Sequence, residues 1–208
     1  MIVLNEDEAK KFEELLNPRG IAIIGATENP MSGGYGFLRG YLDSSYPKDK
    51  VYPINPKRDT VFGLKAYPDL KSVPFPIDYV TIGIPKVKIL ETLENCVEKG
   101  VKLAHLFTAG FSELAGNKAE GSKLEEKMLK IARKGKMRIL GPNCMGLYIP
   151  KTGVVLAAGL GTGIENSGKI AFVSQSGAFC HLLGVTGQYH GLKFSKVFSY
   201  GENFRNNN

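Results

Sequence analysis

The segment 20–36 contains the residues best suited to bind an anion. An apolar run, 21–24, leads into a loop rich in glycine, beginning at Gly25. Glycine allows backbone N–H groups to approach an anion closely, and the start of the following helix carries partial positive charge. Because the spacing is not Gly-x-Gly-x-x-Gly, a plain turn is the alternative interpretation of this loop. The segment favours a nucleotide or nucleotide-like cofactor that carries phosphate.

The turn after the next apolar run, 51–54, narrows the kind of cofactor. It reads Asn55, Pro56, Lys57, Arg58, whereas an NAD-binding domain usually has an acid there for the ribose hydroxyls. A lysine favours a ligand with an additional phosphate, such as coenzyme A with its 3'-phosphate, or NADP. A solvent-exposed Lys-Arg turn is the alternative.

Alternating strands and helices would position these turns. The pattern predicts a helix that begins at Asn5 with a capping box, then strands at 21–24, 51–54, 78–84, 103–108 and 138–140 separated by helices. Such alternation predicts an α/β fold with a Rossmann-like, doubly wound parallel sheet. Ligands bind beyond the carboxyl ends of the strands in such a sheet. The turns that follow the strands are therefore expected to form one site.

A second unit is expected to begin at residue 147, so that residues 1–146 and 147–208 form two domains. Its strand, 170–173, is followed by Ser174, Gln175, Ser176 and Gly177, which open a helix. Serines at a helix start either cap the helix or hold phosphate together with the exposed amides. The Gly-x-Ser-x-Gly pattern of a hydrolase nucleophile elbow is absent.

Composition argues against several other classes of protein. The chain has 208 residues, 43% of them hydrophobic, and a formal charge of +7. Its lysines are scattered, and neither a basic block nor zinc-ligand spacing is present, which disfavours nucleic-acid binding and predicts no metal site. Three widely spaced cysteines, with no signal peptide or apolar run of membrane-spanning length, indicate a cytoplasmic protein with reduced thiols and no membrane partner.

Five motifs in a fixed order resemble one family, the CoA-binding, alpha-type portion of ADP-forming acyl-CoA synthetases, which are relatives of the succinyl-CoA synthetase alpha subunit. The motifs are IIGATENP at 23–30, YPINPK at 52–57, AGFSE at 109–113, LGPNCMG at 140–146 and VSQSGA at 173–178. The resemblance extends from about residue 10 to residue 200.

The resemblance implies site residues as well as a fold. The second domain would be the incomplete start of a flavodoxin-like α/β domain, like that of succinyl-CoA ligases. Asn143 and Cys144 would lie near the thiol end of CoA, although Cys144 need not be a nucleophile. Ser174, Gln175, Ser176 and Gly177 would hold phosphate. The residues implied to surround CoA are Gly25, Ala26, Thr27, Asn29, Asn55, Lys57, Ile84, Pro85, Ala109, Gly110 and Phe111.

The implied reaction is acyl-CoA with ADP and phosphate giving acid, CoA and ATP, through acyl phosphate and phosphohistidine. The family's phosphohistidine loop would lie beyond this chain, because His105, His181 and His190 lack its sequence context. ADP or ATP with magnesium would require an ATP-grasp (beta-type) subunit or domain, and an oligomer is expected. Two alternatives are a CoA-binding regulatory protein without catalysis and an NADP-dependent oxidoreductase.

Overall fold

The structure, a computed structural model, describes residues 5–112 and 118–201. The helices are α1 (Glu6–Leu15), α2 (Gly33–Asp43), α3 (Ile89–Lys99), α4 (Lys118–Lys134) and α5 (Gly177–Tyr189). The strands are β1 (Ile21–Ile24), β2 (Val51–Ile54), β3 (Thr60–Val61), β4 (Leu64–Lys65), β5 (Tyr79–Ile82), β6 (Leu103–Leu106), β7 (Arg138–Leu140), β8 (Gly146–Tyr148), β9 (Ser167–Ser174) and β10 (Phe194–Ser199). None of the helices in these ranges has both the length and the apolar character needed to cross a bilayer.

Five parallel strands form the main sheet, in the order β2-β1-β5-β6-β7. The chain starts in β1, moves outward to β2 and then crosses back over β1 to β5. This reversal places the change of winding direction between β1 and β5, where doubly wound sheets open a crevice at their carboxyl edge. The predicted Rossmann-like parallel sheet is confirmed.

Helices cover both faces of this sheet. Alternate side chains on each strand point to opposite faces, so each strand contributes to both hydrophobic clusters. Ile21 and Ile23 of β1 belong to the hydrophobic cluster that contains residues of α2, whereas Ala22 and Ile24 belong to the cluster with residues of α3 and α4. All four residues of β1 are buried. A continuous apolar run of this kind is typical of a strand buried on both faces.

A second sheet has the strand order β8-β10-β9. Strands β9 and β10 are parallel and connected by α5, which makes a β-α-β unit, while β8 pairs antiparallel with β10. Residues of this sheet, such as Leu147 and Val197, share the hydrophobic cluster of the α2 side. One buried cluster thus joins the two sheets. The expected division into domains at residue 147 stays a prediction.

Helix α1 contacts both parts of the chain. Its predicted capping box is confirmed, with the Asn5 side chain accepting from the Glu8 N–H at 2.9 Å and the Asn5 N–H donating to Glu8 at 3.0 Å. The Phe12 ring lies 6.1 Å from that of Phe198 in β10. The carbonyl of Leu16, just after α1, accepts a hydrogen bond from the Thr152 hydroxyl at 3.1 Å. Glu14 of α1 also lies 3.9 Å from Lys102 Nζ, directly before β6 of the first sheet, so α1 contacts both sheets.

Candidate functional site

The backbone of the glycine loop after β1 packs closely against the backbone of the turn after β5 and of the start of α2. Gly25 has φ +89°, a left-handed conformation that favours glycine, and its N–H donates to the Ile54 carbonyl at 3.1 Å. A Cβ added to Gly25 would lie 2.5 Å from the carbonyl oxygen of Gly83, and one added to Gly34 would lie 2.0 Å from that of Gly25. Glycine at these positions therefore lets the start of α2 lie directly against the turn after β1.

The polar side chains of this loop hold its shape. Asn55 donates from Nδ2 to the Ala26 carbonyl at 2.8 Å, which joins the turns after β2 and β1. Thr27 Oγ1 accepts from the Asn29 N–H at 3.1 Å, and Asn29 Oδ1 accepts from the Met31 N–H at 3.1 Å. These predicted site residues lie together and position the loop backbone.

A cavity of about 340 Å³ opens at the carboxyl ends of β1, β2 and β5; we call it the Lys57 cavity. Its walls include Gly25, Asn55, Lys57 and Ile84, four of the residues predicted to bind the cofactor. The lining also contains one further cation, Lys88, and the acidic residues Asp69 and Glu91. The exposed Lys57 side chain lies beyond the end of β2, one strand away from the change of winding direction, and could contact an anionic end of a nucleotide bound in this cavity.

The turns after β5 and β6 are bound to each other. The Thr108 hydroxyl donates to the Ile84 carbonyl at 2.7 Å, and Lys86 Nζ donates to the Gly110 carbonyl at 2.7 Å. Pro85 and Ala109 are exposed on these turns.

Phe111 differs from its neighbours, because its side chain is fully buried in the cluster that contains α3 and α4 residues. A contact between the Phe111 ring and a cofactor stays a prediction, one that the burial of the ring disfavours.

A second cavity, of about 300 Å³, lies beyond β6 and β7; we call it the Asn143 cavity. Its walls bring together two predicted groups that are far apart in sequence. Asn143 and Cys144 form one side, and Gln175, Ser176 and Gly177 form the other. Asn143 has φ +53° and donates its N–H to the Thr108 carbonyl at 3.2 Å, which fixes the turn beside the β6 end.

The start of α5 faces this cavity. Ser176 is the N-cap, and its Oγ accepts from the Phe179 N–H at 3.2 Å, while Ser174 Oγ accepts from the Ser176 N–H at 3.2 Å. A Cβ added to Gly177 would lie 2.5 Å from Met145 Cγ, so this glycine lets the helix start approach the 143–145 turn. The positive end of α5 is suited to an anion there.

Cys144 is not built as a nucleophile. Only 2% of the residue is exposed, and burial raises the pKa of its thiol to about 12. Thiols react as thiolates, so Cys144 stays protonated and unreactive near neutral pH. This agrees with the interpretation that Cys144 need not attack a substrate.

His105 of β6 is a core residue, and it also anchors the 141–146 turn. Its Nε2 lies 2.8 Å from the Cys144 carbonyl, and its Nδ1 lies 3.3 Å from Thr81 Oγ1. A carbonyl can only accept, so Nε2 carries the proton and Nδ1 accepts from Thr81. His105 is fully buried, and burial lowers its pKa to about 4.

His105 should make stability depend on pH. The unfolded chain binds this proton with a pKa of about 6.5, and the folded chain does so with a pKa of about 4. As pH falls from 6.5 to 4, protons therefore favour the unfolded state, and the free energy of unfolding should fall by up to ~3 kcal/mol. Urea unfolding at pH 7, 6 and 5 measures this loss.

Two variants separate His105 from the other titrating groups. His105→Gln should flatten the pH dependence between 7 and 5, even though the variant is less stable overall. His190→Gln changes an exposed histidine just after α5 and should keep the wild-type slope. Equal slopes in wild type and His105→Gln would contradict this role for His105.

Several residues that line these cavities were not predicted as site residues. Phe107 and Met145 line the Asn143 cavity, and Lys88 lines the Lys57 cavity. Phe107 directly follows β6, so the rule that ligands bind beyond the carboxyl ends of strands could have identified it. Lys88 and Met145 required the packing of neighbouring loops. Within residues 5–112 and 118–201, no three His, Cys, Asp or Glu side chains are grouped so as to hold a metal ion.

Comparison with known proteins assigns a family to this arrangement. The profile of the CoA binding domain matches residues 19–150, which include the Lys57 cavity and the 141–146 turn. The chain belongs to the CoA-binding domain family. Its glycine loop, its Lys57 cavity and its parallel sheet all lie within the matched range.

Relatives of this CoA-binding chain include enzymes much longer than it is. It is 41% identical to the acetate–CoA ligase (ADP-forming) II alpha subunit of Pyrococcus furiosus, over 91% of this chain and 40% of the relative. It is 38% identical to the 4-hydroxybutyrate–CoA ligase (ADP-forming) of Nitrosopumilus maritimus, over 90% of this chain and 26% of the relative. The chain thus spans well under half the length of these curated relatives.

A solved structure agrees in fold. The acetyl-coenzyme A synthetase 1 of Ca. Korarchaeum cryptofilum, described in complex with phosphate and ADP, superposes with a TM-score of 0.80 at 36% identity. The match covers 91% of this chain and 39% of that one. The chain therefore corresponds in sequence and structure to the CoA-binding part of these synthetases.

Proposed function

We propose that this chain supplies the CoA site of an ADP-forming acid–CoA ligase. The assembled enzyme would convert acyl-CoA, ADP and phosphate into acid, CoA and ATP. The observation that carries the proposal is the presence of two cavities at one sheet edge. The Lys57 cavity offers cations, and the Asn143 cavity combines a tight turn with a helix N-terminus.

The distance between these cavities suits CoA. The Lys57 cavity lies at β2, β1 and β5, and the Asn143 cavity follows β6 and β7. Four inter-strand spacings separate β2 from β7, about 19 Å along the carboxyl edge. An elongated molecule with a phosphorylated nucleoside at one end and a thiol at the other fits this arrangement, with Lys57 beside the 3'-phosphate and Asn143 near the thiol.

In the Asn143 cavity, residues of this chain would hold the attacking phosphate and orient the thioester. When phosphate attacks the thioester carbonyl, the C–S bond breaks, CoA leaves as thiolate, and acyl phosphate forms. The Ser174–Gly177 backbone and the positive end of α5 would hold the phosphate, and the 143–145 turn would position the carbonyl. Catalysis of this kind depends on positioning and on stabilising charge, which fits a site without a reactive thiol.

Completion of the reaction would require a partner. One relative carries the words "subunit alpha" in its name, which supports a companion subunit for this chain. We infer that the companion is of the ATP-grasp type and binds ADP with magnesium, and that a phosphohistidine carries the phosphoryl group between the two sites. A cytoplasmic location would supply all of these substrates.

Reconstitution tests the proposal. The chain would be combined with an ATP-grasp subunit and with the phosphohistidine-bearing segment of an ADP-forming ligase. ATP formation from acyl-CoA, ADP and phosphate would be followed with a luciferase assay. We expect ATP only when all parts are present. CoA binding without ATP formation in any combination would overturn the ligase function and favour a regulatory CoA-binding protein.

A further inference from the structure

One acid lies in the glycine loop, beside the expected phosphate site. Glu28 is the only charged residue of the segment 20–36, and it is exposed. A carboxylate repels a nearby phosphate group, so electrostatics alone would disfavour an acid at this position. Its role has to be sought in the hydrogen bond that the carboxylate accepts.

This hydrogen bond comes from the tip of the hairpin that β3 and β4 form. The Phe62 N–H donates to Glu28 Oε1 at 2.6 Å. Phe62 and Gly63 connect the two strands with φ +51° and +74°, the signs that a type I′ turn requires. A bulky residue seldom adopts positive φ, and it keeps such a conformation only where its surroundings hold it. Two contacts do so here, the bond to Glu28 and the Tyr35 ring of α2, whose centroid lies 5.5 Å from that of Phe62.

The base of the same hairpin closes the turn that carries Lys57. At one end of this turn, the Asn55 N–H donates to the Tyr67 carbonyl at 2.9 Å. At the other end, the Ala66 N–H donates to the Asp59 carbonyl at 2.8 Å. Both ends are thus held by the two residues that follow β4. The hairpin therefore connects the Lys57 turn with the glycine loop.

We propose that Glu28 is a positioning residue for the 3'-phosphate of CoA, because its bond to the hairpin tip fixes the hairpin and thereby the turn that carries Lys57. This inference rests on the proposed CoA site and adds to it a residue that acts through Phe62 and Lys57. The charge of Glu28 opposes a bound phosphate, whereas its hydrogen bond favours the arrangement that binds one. The two contributions have opposite signs, so substitutions can separate them.

Three substitutions at Glu28 separate the hydrogen bond from the charge. Glu28→Gln keeps an acceptor oxygen at the end of a side chain of equal length, so it keeps the bond and removes the charge. Glu28→Asp keeps the charge, but its side chain is one methylene shorter and does not reach the Phe62 N–H. Glu28→Ala removes both.

Calorimetric titration with CoA compares these variants. Glu28→Gln should bind CoA within about twofold of wild type or more tightly. Glu28→Asp and Glu28→Ala should each bind CoA at least about fivefold more weakly, as expected when a hydrogen bond to a charged group is lost. The control Glu126→Ala removes an exposed carboxylate from α4, which packs in the other hydrophobic cluster, and should keep the Kd within about twofold of wild type.

The route through Lys57 has a test of its own. In a chain that already carries Lys57→Ala, adding Glu28→Ala should change the Kd for CoA by less than about twofold, because the lysine that the bond positions is absent. Glu28→Ala alone should likewise change the Kd for dephospho-CoA by less than about twofold, because that ligand lacks the 3'-phosphate.

Each other outcome has a definite meaning. If Glu28→Ala binds CoA as tightly as Glu28→Gln does, the positioning role is overturned, and the proposed CoA site stands as long as wild type binds CoA. An equal loss of affinity for CoA and dephospho-CoA in Glu28→Ala overturns the route through Lys57. Failure of wild type to bind CoA overturns the proposed function itself. If urea unfolding shows that Glu28→Ala does not fold, equal Kd values for Glu28→Gln and Glu28→Asp overturn the inference.

Discussion

Gly34→Ala should lower the free energy of unfolding by ~3 kcal/mol, near the upper end of overpacking effects, and should impair CoA binding. The added methyl group would lie 2.0 Å from the Gly25 carbonyl oxygen and 2.7 Å from its carbonyl carbon. The obstacle is backbone, so α2 or the β1 turn must move. Either movement displaces the loop that borders the Lys57 cavity. Urea unfolding and CoA titration of the variant measure the two effects.

Gly36→Ala is the matched control, two residues along the same helix. A Cβ there meets no other atom within 4 Å, and alanine favours a helix over glycine by up to ~1 kcal/mol. The control should therefore be as stable as wild type or slightly more stable. If the two variants lose the same stability, the close approach of Gly34 to Gly25 does not explain the loss.

Lys57→Ala should weaken CoA binding by about tenfold or more, as expected when a hydrogen bond to a charged group is lost. Dephospho-CoA lacks the 3'-phosphate, so it should bind wild type and variant with nearly equal affinity. Calorimetry with both ligands and both proteins gives the four binding free energies of a thermodynamic cycle. It assigns the lost affinity to the pair formed by Lys57 and the 3'-phosphate.

Lys50→Ala controls for loss of net positive charge. Lys50 is exposed at the amino end of β2, opposite the turn that carries Lys57. The variant should bind CoA within about twofold of wild type at 0.15 M salt, because charges beyond a Debye length of ~8 Å are screened. Equal weakening of CoA and dephospho-CoA in Lys57→Ala would contradict a contact with the 3'-phosphate.

The sheet was predictable because its strands are short apolar runs. Predicted strands at 21–24, 51–54 and 138–140 coincide with β1, β2 and β7. The predicted strand 78–84 extended beyond β5, which ends at Ile82. A strand buried on both faces is apolar along its whole length, so its pattern does not mark where it ends. The turns at Gly25 and Asn55 do mark the ends of β1 and β2.

The site was predictable only in part. Because turns at one sheet edge converge, the sequence predicted that Gly25, Asn55, Lys57 and Ile84 share a site. All four line one cavity in the structure. Burial of Phe111 and Cys144 depends on contacts from distant segments, which a local pattern does not contain. The cavity of about 380 Å³ beside the start of α2 likewise requires Leu156, from the segment between β8 and β9, to lie near that helix, a long-range packing that sequence periodicity does not encode.

Calorimetric titration of the wild-type chain with CoA, dephospho-CoA and NADPH tests whether the chain binds CoA through its 3'-phosphate. We expect one CoA to bind per chain with a micromolar Kd, dephospho-CoA to bind at least about tenfold more weakly, and NADPH to show no comparable binding. Tight NADPH binding without CoA binding would contradict this expectation and indicate an oxidoreductase instead.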